Sequence, residues 1–109
     1  MARTEILERL AALERQLRAL GLWGGEEKRP APEAFESAVP FFTDTMELHE
    51  WLEYVLIPRL TLLASRGDPI PRMAVYPAAQ EVYRGQIRRF RGLMREILAL
   101  DKAAARHGS

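Results

Sequence analysis

The sequence predicts an all-α fold, a small bundle of three long helices with room for a short fourth, joined by loops rich in proline and glycine. Apolar residues recur at alternating intervals of three and four in three separate segments, which is the period of one helix face. Alternation of apolar and polar residues, the mark of a half-buried strand, has no useful length here. The 109 residues are enough for one helical domain spanning 1–109 around a single core.

The first helix is predicted between Thr4, a suitable N-cap, and Gly21, a suitable C-terminal stop. Its buried face is the stripe Ile6, Leu10, Leu13, Leu17 and Leu20. A coiled-coil dimer could use the same spacing, but two heptads fall short of the three or four that a sustained coil needs. We therefore favour packing within the monomer.

A long connector is predicted over residues 21–43, where three glycines and three prolines interrupt any regular element. We expect at most one short helical turn in it, near Pro32 to Glu36. Trp23, Phe41 and Phe42 are the side chains expected to hold this segment against the bundle, since long loops in compact domains are usually packed or functional.

The second helix is expected to start at Asp44 or Thr45, because Asp44 and Glu47 have the spacing of a capping box. Pro58 removes one backbone donor inside the pattern and crowds the Tyr54 carbonyl, which predicts a kink. Gly67 should end the helix. The predicted buried face comprises Leu48, Leu52, Val55, Leu56, Leu62 and Leu63.

A third helix follows the loop of residues 67–77, with Pro77 suited to its first position. Its apolar face is the stripe Tyr83, Ile87, Phe90, Met94 and Ile97. The tail, residues 102–109, is expected to fray.

Charge is divided between two parts of the chain. Residues 26–58 hold two basic and eight acidic side chains, a net charge of −6, whereas residues 59–109 hold ten basic and four acidic ones, a net charge of +6. Cysteine is absent, which excludes disulfides and thiolate metal sites. With no secretory h-region and no long apolar span, we expect a cytoplasmic protein that does not insert into membranes.

Catalytic patterns are weak. HEWLE, residues 49–53, is similar to the zinc motif H-E-x-x-H, but Glu53 replaces the second histidine and His107 lies in the expected tail. The carboxylates of this region are best interpreted as one solvated helix face; they are Asp44, Glu47, Glu50 and Glu53. We therefore predict no enzyme, no cofactor and no metal, and a small metal-dependent hydrolase is the weakest alternative.

A basic stripe is predicted on the third helix, where Arg84, Arg88, Arg91 and Arg95 follow the apolar stripe one residue later. It is either a solvated face, which could pair with the acidic second helix, or a docking surface for phosphates or an acidic partner. Direct RNA binding is the less favoured use, because Tyr83 and Phe90 are assigned to the core rather than to base stacking.

The segment from Pro40 to Arg59 resembles the YqcC-like family of small uncharacterised bacterial helical proteins. The matching residues are Pro40-Phe41-Phe42, Asp44-Thr45-Met46, Glu50-Trp51-Leu52 and Ile57-Pro58-Arg59, with Trp23 and Pro69 to Pro71 outside the segment. The resemblance implies a helical bundle without an established activity. Members tend to be encoded beside a tRNA pseudouridine synthase, which suggests by association a role near tRNA modification. His49 and Glu53 are not among the matching residues.

These observations favour an interaction protein whose partner is a tRNA pseudouridine synthase, with RNA contact secondary. The alternative is an RNA-binding accessory domain. The candidate partner surface comprises Arg59, Arg84, Arg88, Arg91 and Arg95, and the candidate motif residues are Pro40, Asp44, Thr45, Met46, Trp51, Leu52, Pro58 and Arg59. Trp51 stays open between a core residue, whose replacement by alanine would cost ~3 to 5 kcal/mol, and an exposed binding anchor. The oligomeric state is also open.

Overall fold

Helices form the whole regular structure of residues 2–107, the range that the computed structural model describes. Four α-helices follow one another: α1 (Ala2–Ala19), α2 (residues 48–66), α3 (Val75–Val82) and α4 (Ile87–His107). No strand occurs in this range. The all-α prediction is confirmed, and α3 is the short fourth helix. None of these helices is both long and apolar enough to span a membrane.

One core holds the helices together. Helix α1 packs against α2 and α4, and α3 packs against α4. The largest fully buried side chains are Ile6, Leu13, Leu17, Leu52, Leu60, Val75, Leu93, Ile97 and Leu100. All but Val75 come from α1, α2 and α4, so the three long helices build most of the centre, and α3 closes one side of it with Val75 and Ala79.

Helix α1 ends as predicted but begins earlier. Gly21 has φ 74°, and the Leu22 N–H donates to the Leu17 carbonyl at 2.9 Å, which closes the helix with a left-handed residue. The helix starts at Ala2, so the predicted N-cap at Thr4 is wrong.

The connector contains more structure than predicted. Three short 3₁₀ helices follow one another, at Glu26–Lys28, Pro32–Glu36 and Pro40–Phe42. The turn at Pro32–Glu36 is the one predicted, and the other two were missed. Proline opens the second and third, where its missing N–H would have had no helical partner.

Helix α2 begins at Leu48, three or four residues after the predicted start at Asp44 or Thr45. The Glu47 N–H donates to Glu50 Oε1 at 2.8 Å, one half of a capping box shifted by three residues from the predicted one. Asp44 instead accepts a hydrogen bond from the Ser37 hydroxyl inside the connector. A capping box with the predicted spacing is present, but Glu47 and Glu50 form it in place of Asp44 and Glu47.

A π turn interrupts α2. The helix consists of Leu48–Trp51, the π turn Leu52–Leu56 and Ile57–Arg66. Within it, the Ile57 N–H donates to the Leu52 carbonyl, five residues back. Pro58 has no N–H to offer the Tyr54 carbonyl. The disturbance expected at Pro58 as a kink therefore takes the form of a wider turn just before it.

The π turn resets which side of α2 is buried. Leu48, Leu52, Leu56, Leu60 and Ala64 are all buried at a constant spacing of four. In a regular α-helix each four-residue step drifts by about 40°, so such a row would leave the core after a few turns. The wide turn absorbs this drift.

The same reset corrects the predicted buried face. Leu62 is 51% exposed, so its assignment to the core was wrong, and Val55 is only half-buried. Gly67 ends α2 as predicted, with φ 74° and an Asp68 N–H that donates to the Leu63 carbonyl at 2.9 Å.

The predicted third helix is broken into α3 and α4. Gly85 has φ 84°, and the Gln86 N–H donates to the Tyr83 carbonyl at 2.9 Å, which makes a turn between them. Ile87 is consequently 43% exposed, and its place in the core stripe was wrong. Tyr83 and Phe90 are buried as predicted, with ring centroids 4.0 Å apart.

The start of α3 is fixed by α4. The N–H groups of Val75 and Tyr76 donate to the Asp101 carboxylate at 3.2 and 2.8 Å. Burial raises the pKa of Asp101, and these two hydrogen bonds oppose that rise. Helix α3 thus starts at Val75, two residues before the predicted Pro77.

The expectation of a frayed tail is wrong for residues 102–107. Helix α4 continues to His107, and Ala103 and Ala104 are fully buried. Arg106 donates to Glu5 Oε2 at 2.8 Å, and His107 Nε2 contacts the other oxygen of the same carboxylate. Residues 108 and 109 lie outside the described range.

The register of α2 predicts a contrast between two leucines. Leu60→Ala should lower the free energy of unfolding by ~3 kcal/mol, because it removes a fully buried side chain. Leu62→Ala should change it by less than about 0.5 kcal/mol, since that side chain is mostly in solvent. Urea denaturation of both variants checks the prediction, and a larger loss at Leu62 would show that the π turn is absent.

The ion pair of Glu5 should make part of the fold's stability sensitive to acid. Hydrogen bonds from Arg106 and then His107 hold the pKa of the Glu5 carboxyl below its ordinary 4.5. A carboxyl with a lowered folded-state pKa stabilises the fold above its unfolded value, and this contribution disappears as the pH falls through the folded value. The stability difference between the native chain and Glu5→Gln should therefore shrink as the pH falls below 4.5, measured by denaturation across the acid range. A constant difference would contradict the ion pair.

Candidate functional site

An apolar groove, here called the motif groove, opens between the connector, α2 and the loop before α3. Its volume is about 350 Å³. The lining residues used below are Val39, Phe41, Trp51, Val55, Arg59 and Met73. The connector supplies the roof and α2 supplies the floor, so the YqcC-like residues from both segments meet at this one place.

The roof has an unusual backbone. Phe41 and Phe42 have φ of 57° and 52°, and they are the two non-glycine residues with positive φ in the described chain. Such a conformation costs roughly 1 to 3 kcal/mol for each residue and persists where the surroundings enforce it. Here the N–H groups of Thr45 and Met46 both donate to the Phe42 carbonyl, at 3.0 and 2.9 Å. Strained residues of this kind are concentrated at ligand-binding sites.

Trp51 joins the floor to the roof. The Phe41 ring meets it edge-on, with centroids 5.0 Å apart and planes at 90°. The indole is half-buried, between the two possibilities that the sequence left open. Val39, 38% exposed, lies at the mouth of the groove and adds to its apolar surface. The groove is suited to an apolar side chain of a partner.

Arg59 places one positive charge on this groove. Its side chain is exposed, and no carboxylate of residues 2–107 lies within ion-pair distance of it. It follows Pro58 directly, so the wide turn that precedes Pro58 sets the direction in which Arg59 leaves the helix.

The other motif residues build the support of the groove. Pro40 opens the last 3₁₀ helix, and the Thr45 hydroxyl donates to the Ala34 carbonyl at 2.7 Å. Met46 and Leu52 are buried. Together with the bond from Ser37 to Asp44, the Thr45 bond ties the connector to itself just before α2 begins.

A buried carboxylate fastens the other end of the connector, and we call this contact the Glu53 latch. Glu53 is 5% exposed, and its two oxygens accept hydrogen bonds from the N–H groups of Gly24 and Gly25 at 2.8 and 2.7 Å. The Tyr54 hydroxyl donates to the Gly25 carbonyl at 2.7 Å. The interpretation of Glu53 as part of a solvated acidic face was therefore wrong.

The latch requires both glycines. Gly25 has φ 66°, a conformation that side chains rarely adopt. A Cβ on Gly24 would collide with the Tyr54 hydroxyl and would lie 2.9 Å from the Cβ of Lys28. Burial, followed by the charge of Glu53, raises the pKa of Tyr54, which keeps its hydroxyl available as a donor.

The carboxylates that could have served acid–base or metal chemistry have structural partners. Asp44 binds Ser37, Glu50 caps α2, and Glu53 holds the diglycine. Across the described part of the chain, no three side chains of the histidine, cysteine, aspartate or glutamate type gather as metal ligands would. His49 and Glu53 do not form the zinc pair that HEWLE suggested.

The basic stripe does not form a single row. Arg84 lies in the turn after α3 and binds both oxygens of Glu81, at 2.7 and 2.6 Å. Arg91 and Arg95 lie on α4 and share with Arg84 a cleft of about 620 Å³ between α3 and α4, the basic cleft. Arg88 lines a neighbouring depression instead. The break at Gly85 takes Arg84 out of the row, whereas Arg88, Arg91 and Arg95 keep their spacing of three and four on α4.

The acidic and basic parts of the chain do not pair as one alternative supposed. The ion pairs formed within residues 2–107 join α1 to α4, at Arg9–Glu96 and at Glu5 with Arg106 and His107, or are local to one helix or turn. None of them connects residues 44–53 with the arginines of α4.

Two features of the site were invisible to sequence reasoning. Glu53 and its glycine partners are 28 and 29 residues apart, and no local pattern links a carboxylate to backbone donors at such a distance. Positive φ at a phenylalanine has no sequence signature either. Met73 has only a weak sequence signal, as an apolar residue in a proline-rich loop.

Comparisons with known proteins agree with this fold. The profile of the family described as DUF446, tRNA pseudouridine synthase C, matches residues 5–103. An uncharacterised protein of Haemophilus influenzae is 33% identical over 101 residues, 92% of each chain. The solution NMR structure of protein YqcC from E. coli superimposes with a TM-score of 0.86 at 35% identity, covering 99% of this chain and 92% of that one.

A longer relative also matches. A protein of Pectobacterium carotovorum subsp. carotovorum named tRNA pseudouridine synthase C is 36% identical over 72 residues, which are 66% of this chain and 19% of that protein.

The latch predicts a large effect of one isosteric change. Glu53→Gln should lower the free energy of unfolding by ~3 kcal/mol, because the amide loses the charge and turns an N–H₂ group toward a backbone donor. Glu27→Gln, an equal change on an exposed residue of the same connector, should cost less than about 0.5 kcal/mol. Thermal and urea denaturation measure both, and equal stability of the two variants would refute the latch.

Proposed function

We propose a binding role for this chain, which belongs to the YqcC-like family DUF446: it is a non-enzymatic interaction protein that binds a tRNA pseudouridine synthase through the motif groove. The observation that carries this proposal is the groove itself. It gathers the residues of the family resemblance into an apolar surface beneath a strained roof, with one exposed arginine on it.

The chemistry of the groove favours a protein segment as its occupant. Phe41, Trp51 and Met73 present rings and a thioether, which bind apolar side chains in many orientations. Aromatic residues of this kind are enriched among the anchors of protein interfaces. The volume of about 350 Å³ is enough for one bulky side chain and the backbone that carries it.

Arg59 narrows the choice of segment. An exposed guanidinium on an apolar groove favours a carboxylate, which it can bind through two parallel hydrogen bonds. The occupant is therefore a stretch of the synthase in which a bulky apolar residue has an aspartate or glutamate close to it.

The Pectobacterium relative supports the choice of the synthase. In that protein a segment similar to this chain is part of a longer polypeptide that carries the name tRNA pseudouridine synthase C. Two domains joined in one polypeptide have a high effective concentration for each other. Such a fusion is favoured where the two domains work together. A free chain of this family can obtain the same proximity by docking.

The side chains that a catalyst would need argue for binding rather than chemistry. Asp44, Glu50 and Glu53 are engaged in the connector, in capping and in the Glu53 latch. Besides Arg59, the groove lining holds one polar side chain, Ser37, and its hydroxyl donates to Asp44 within the connector. No histidine or cysteine lines the groove to activate it or to act as a stronger nucleophile. The protein therefore acts on its partner by positioning it or by stabilising it.

A matched pair of variants tests the groove. Val39→Glu places a charge at the mouth of the groove, whereas Val82→Glu makes the same change on α3, outside it; the two valines are 38% and 41% exposed. Val39→Glu should weaken binding to the purified synthase by about tenfold or more, roughly 1.4 kcal/mol. Val82→Glu should leave the affinity unchanged. Isothermal titration calorimetry gives both values.

Trp51 supplies an independent readout. In a Trp23→Phe background Trp51 is the one tryptophan of this chain, and synthase binding should shift its emission, after subtraction of the emission of the synthase alone, to shorter wavelength as the indole loses water. Loss of affinity in both glutamate variants, or in neither, would reject the motif groove. Dimerisation of the chain that Val39→Glu abolishes would show that a second copy occupies the groove, which also contradicts the proposal.

A further inference from the structure

We infer that the basic cleft between α3 and α4 is a binding site for the sugar–phosphate backbone of RNA. This inference goes beyond the proposed function, because the cleft and the motif groove are formed by different residues. Its lining includes Tyr76, Arg84, Ile87, Arg91, Arg95 and Leu98.

Two arginines of α4 give the cleft its charge. Arg91 and Arg95 are exposed and lie one helical turn apart, about 6 Å along the axis. Within residues 2–107 no carboxylate lies at ion-pair distance from either guanidinium. Guanidinium groups bind phosphates through paired hydrogen bonds and are weakly hydrated, so two of them in one cleft favour successive phosphates.

The rest of the lining suits the sugar and the base. Tyr76 is half-buried and contributes an aromatic ring. Ile87, the first residue of α4, exposes 43% of its surface and contributes an apolar one. Aromatic and apolar surfaces beside arginines are typical of sites for single-stranded nucleic acid, because every base and sugar has an apolar face. The aromatic residues Tyr83 and Phe90, which we assigned to the core, are not required for this.

One acidic residue acts against an anion. Glu81 lies in the cleft and binds both of its oxygens to the Arg84 guanidinium, at 2.7 and 2.6 Å. Arg84 is thereby neutralised, and a phosphate has to compete with Glu81 for it. The charge available to RNA is therefore that of Arg91 and Arg95, with Arg88 in the adjoining depression as an outer contact. This arrangement gives a test with effects in both directions.

The test measures affinity for an unmodified tRNA transcript as a function of salt. The double variant Arg91→Gln/Arg95→Gln should bind about tenfold or more weakly at about 0.1 M salt, and the slope of log affinity against log salt should fall by about two. Arg15→Gln/Arg66→Gln removes the same charge from exposed positions outside the cleft and should leave the slope unchanged. Glu81→Gln, which frees Arg84, should strengthen binding and raise the slope by about one.

Equal affinities and slopes of the two double variants would overturn the site. If polyglutamate competed as strongly as tRNA, the cleft would be assigned to an acidic protein and the inference would fail. It would also fail if vesicles containing anionic lipid bound the chain as tightly as tRNA does. Thermal denaturation of each variant checks folding, and Arg91→Lys/Arg95→Lys keeps the charge and should retain most of the slope. The readout is independent of the synthase, so failure of the motif groove and failure of this site are distinguishable.

Discussion

The structure depends on one buried carboxylate. Glu53 is removed from water, and a buried charge is tolerated only when its oxygens are hydrogen-bonded. The groups that satisfy it are backbone donors of the connector, Gly24 and Gly25, so the connector has to return to α2 at this point. Phe41 then meets Trp51 on the same helix, and the long connector is held at both ends.

The π turn connects this anchor to the core. Leu52 and Leu56 at its ends face the core, whereas Glu53 and Tyr54 between them reach the connector. A wider turn allows one short segment to serve both sides, and it also keeps the following residues in register with the core. Pro58 favours this turn because it cannot donate a hydrogen bond.

The fold class could be predicted from periodicity, because apolar burial determines where amphipathic helices form. Boundaries failed where a non-local contact decided the outcome. Leu62 was misplaced because the π turn changes the period, and Ile87 because Gly85 ends one helix and permits another. The tail at residues 102–107 was expected to fray because its partner, Glu5, lies about a hundred residues away in the sequence.

The candidate site was predictable only in part. The family resemblance indicated Phe41, Phe42, Trp51 and Arg59, but not that they line one groove. That arrangement depends on the positive φ of Phe41 and Phe42, which has no sequence signature. The arginines of the last helix were correctly seen as a charged surface. Their grouping was not, because Arg84 left the row when the helix broke and joined Glu81.

Hydrogen exchange on the chain with and without the purified synthase tests the central claim, that the connector and α2 form the partner-binding groove. We predict that bound synthase slows amide exchange in the roof, residues 39–46, and in the loop around Met73, while the amides of α4 that border the basic cleft keep their free rates when tRNA is absent. Protection confined to the basic cleft, or to the outer face of α1, would contradict the claim.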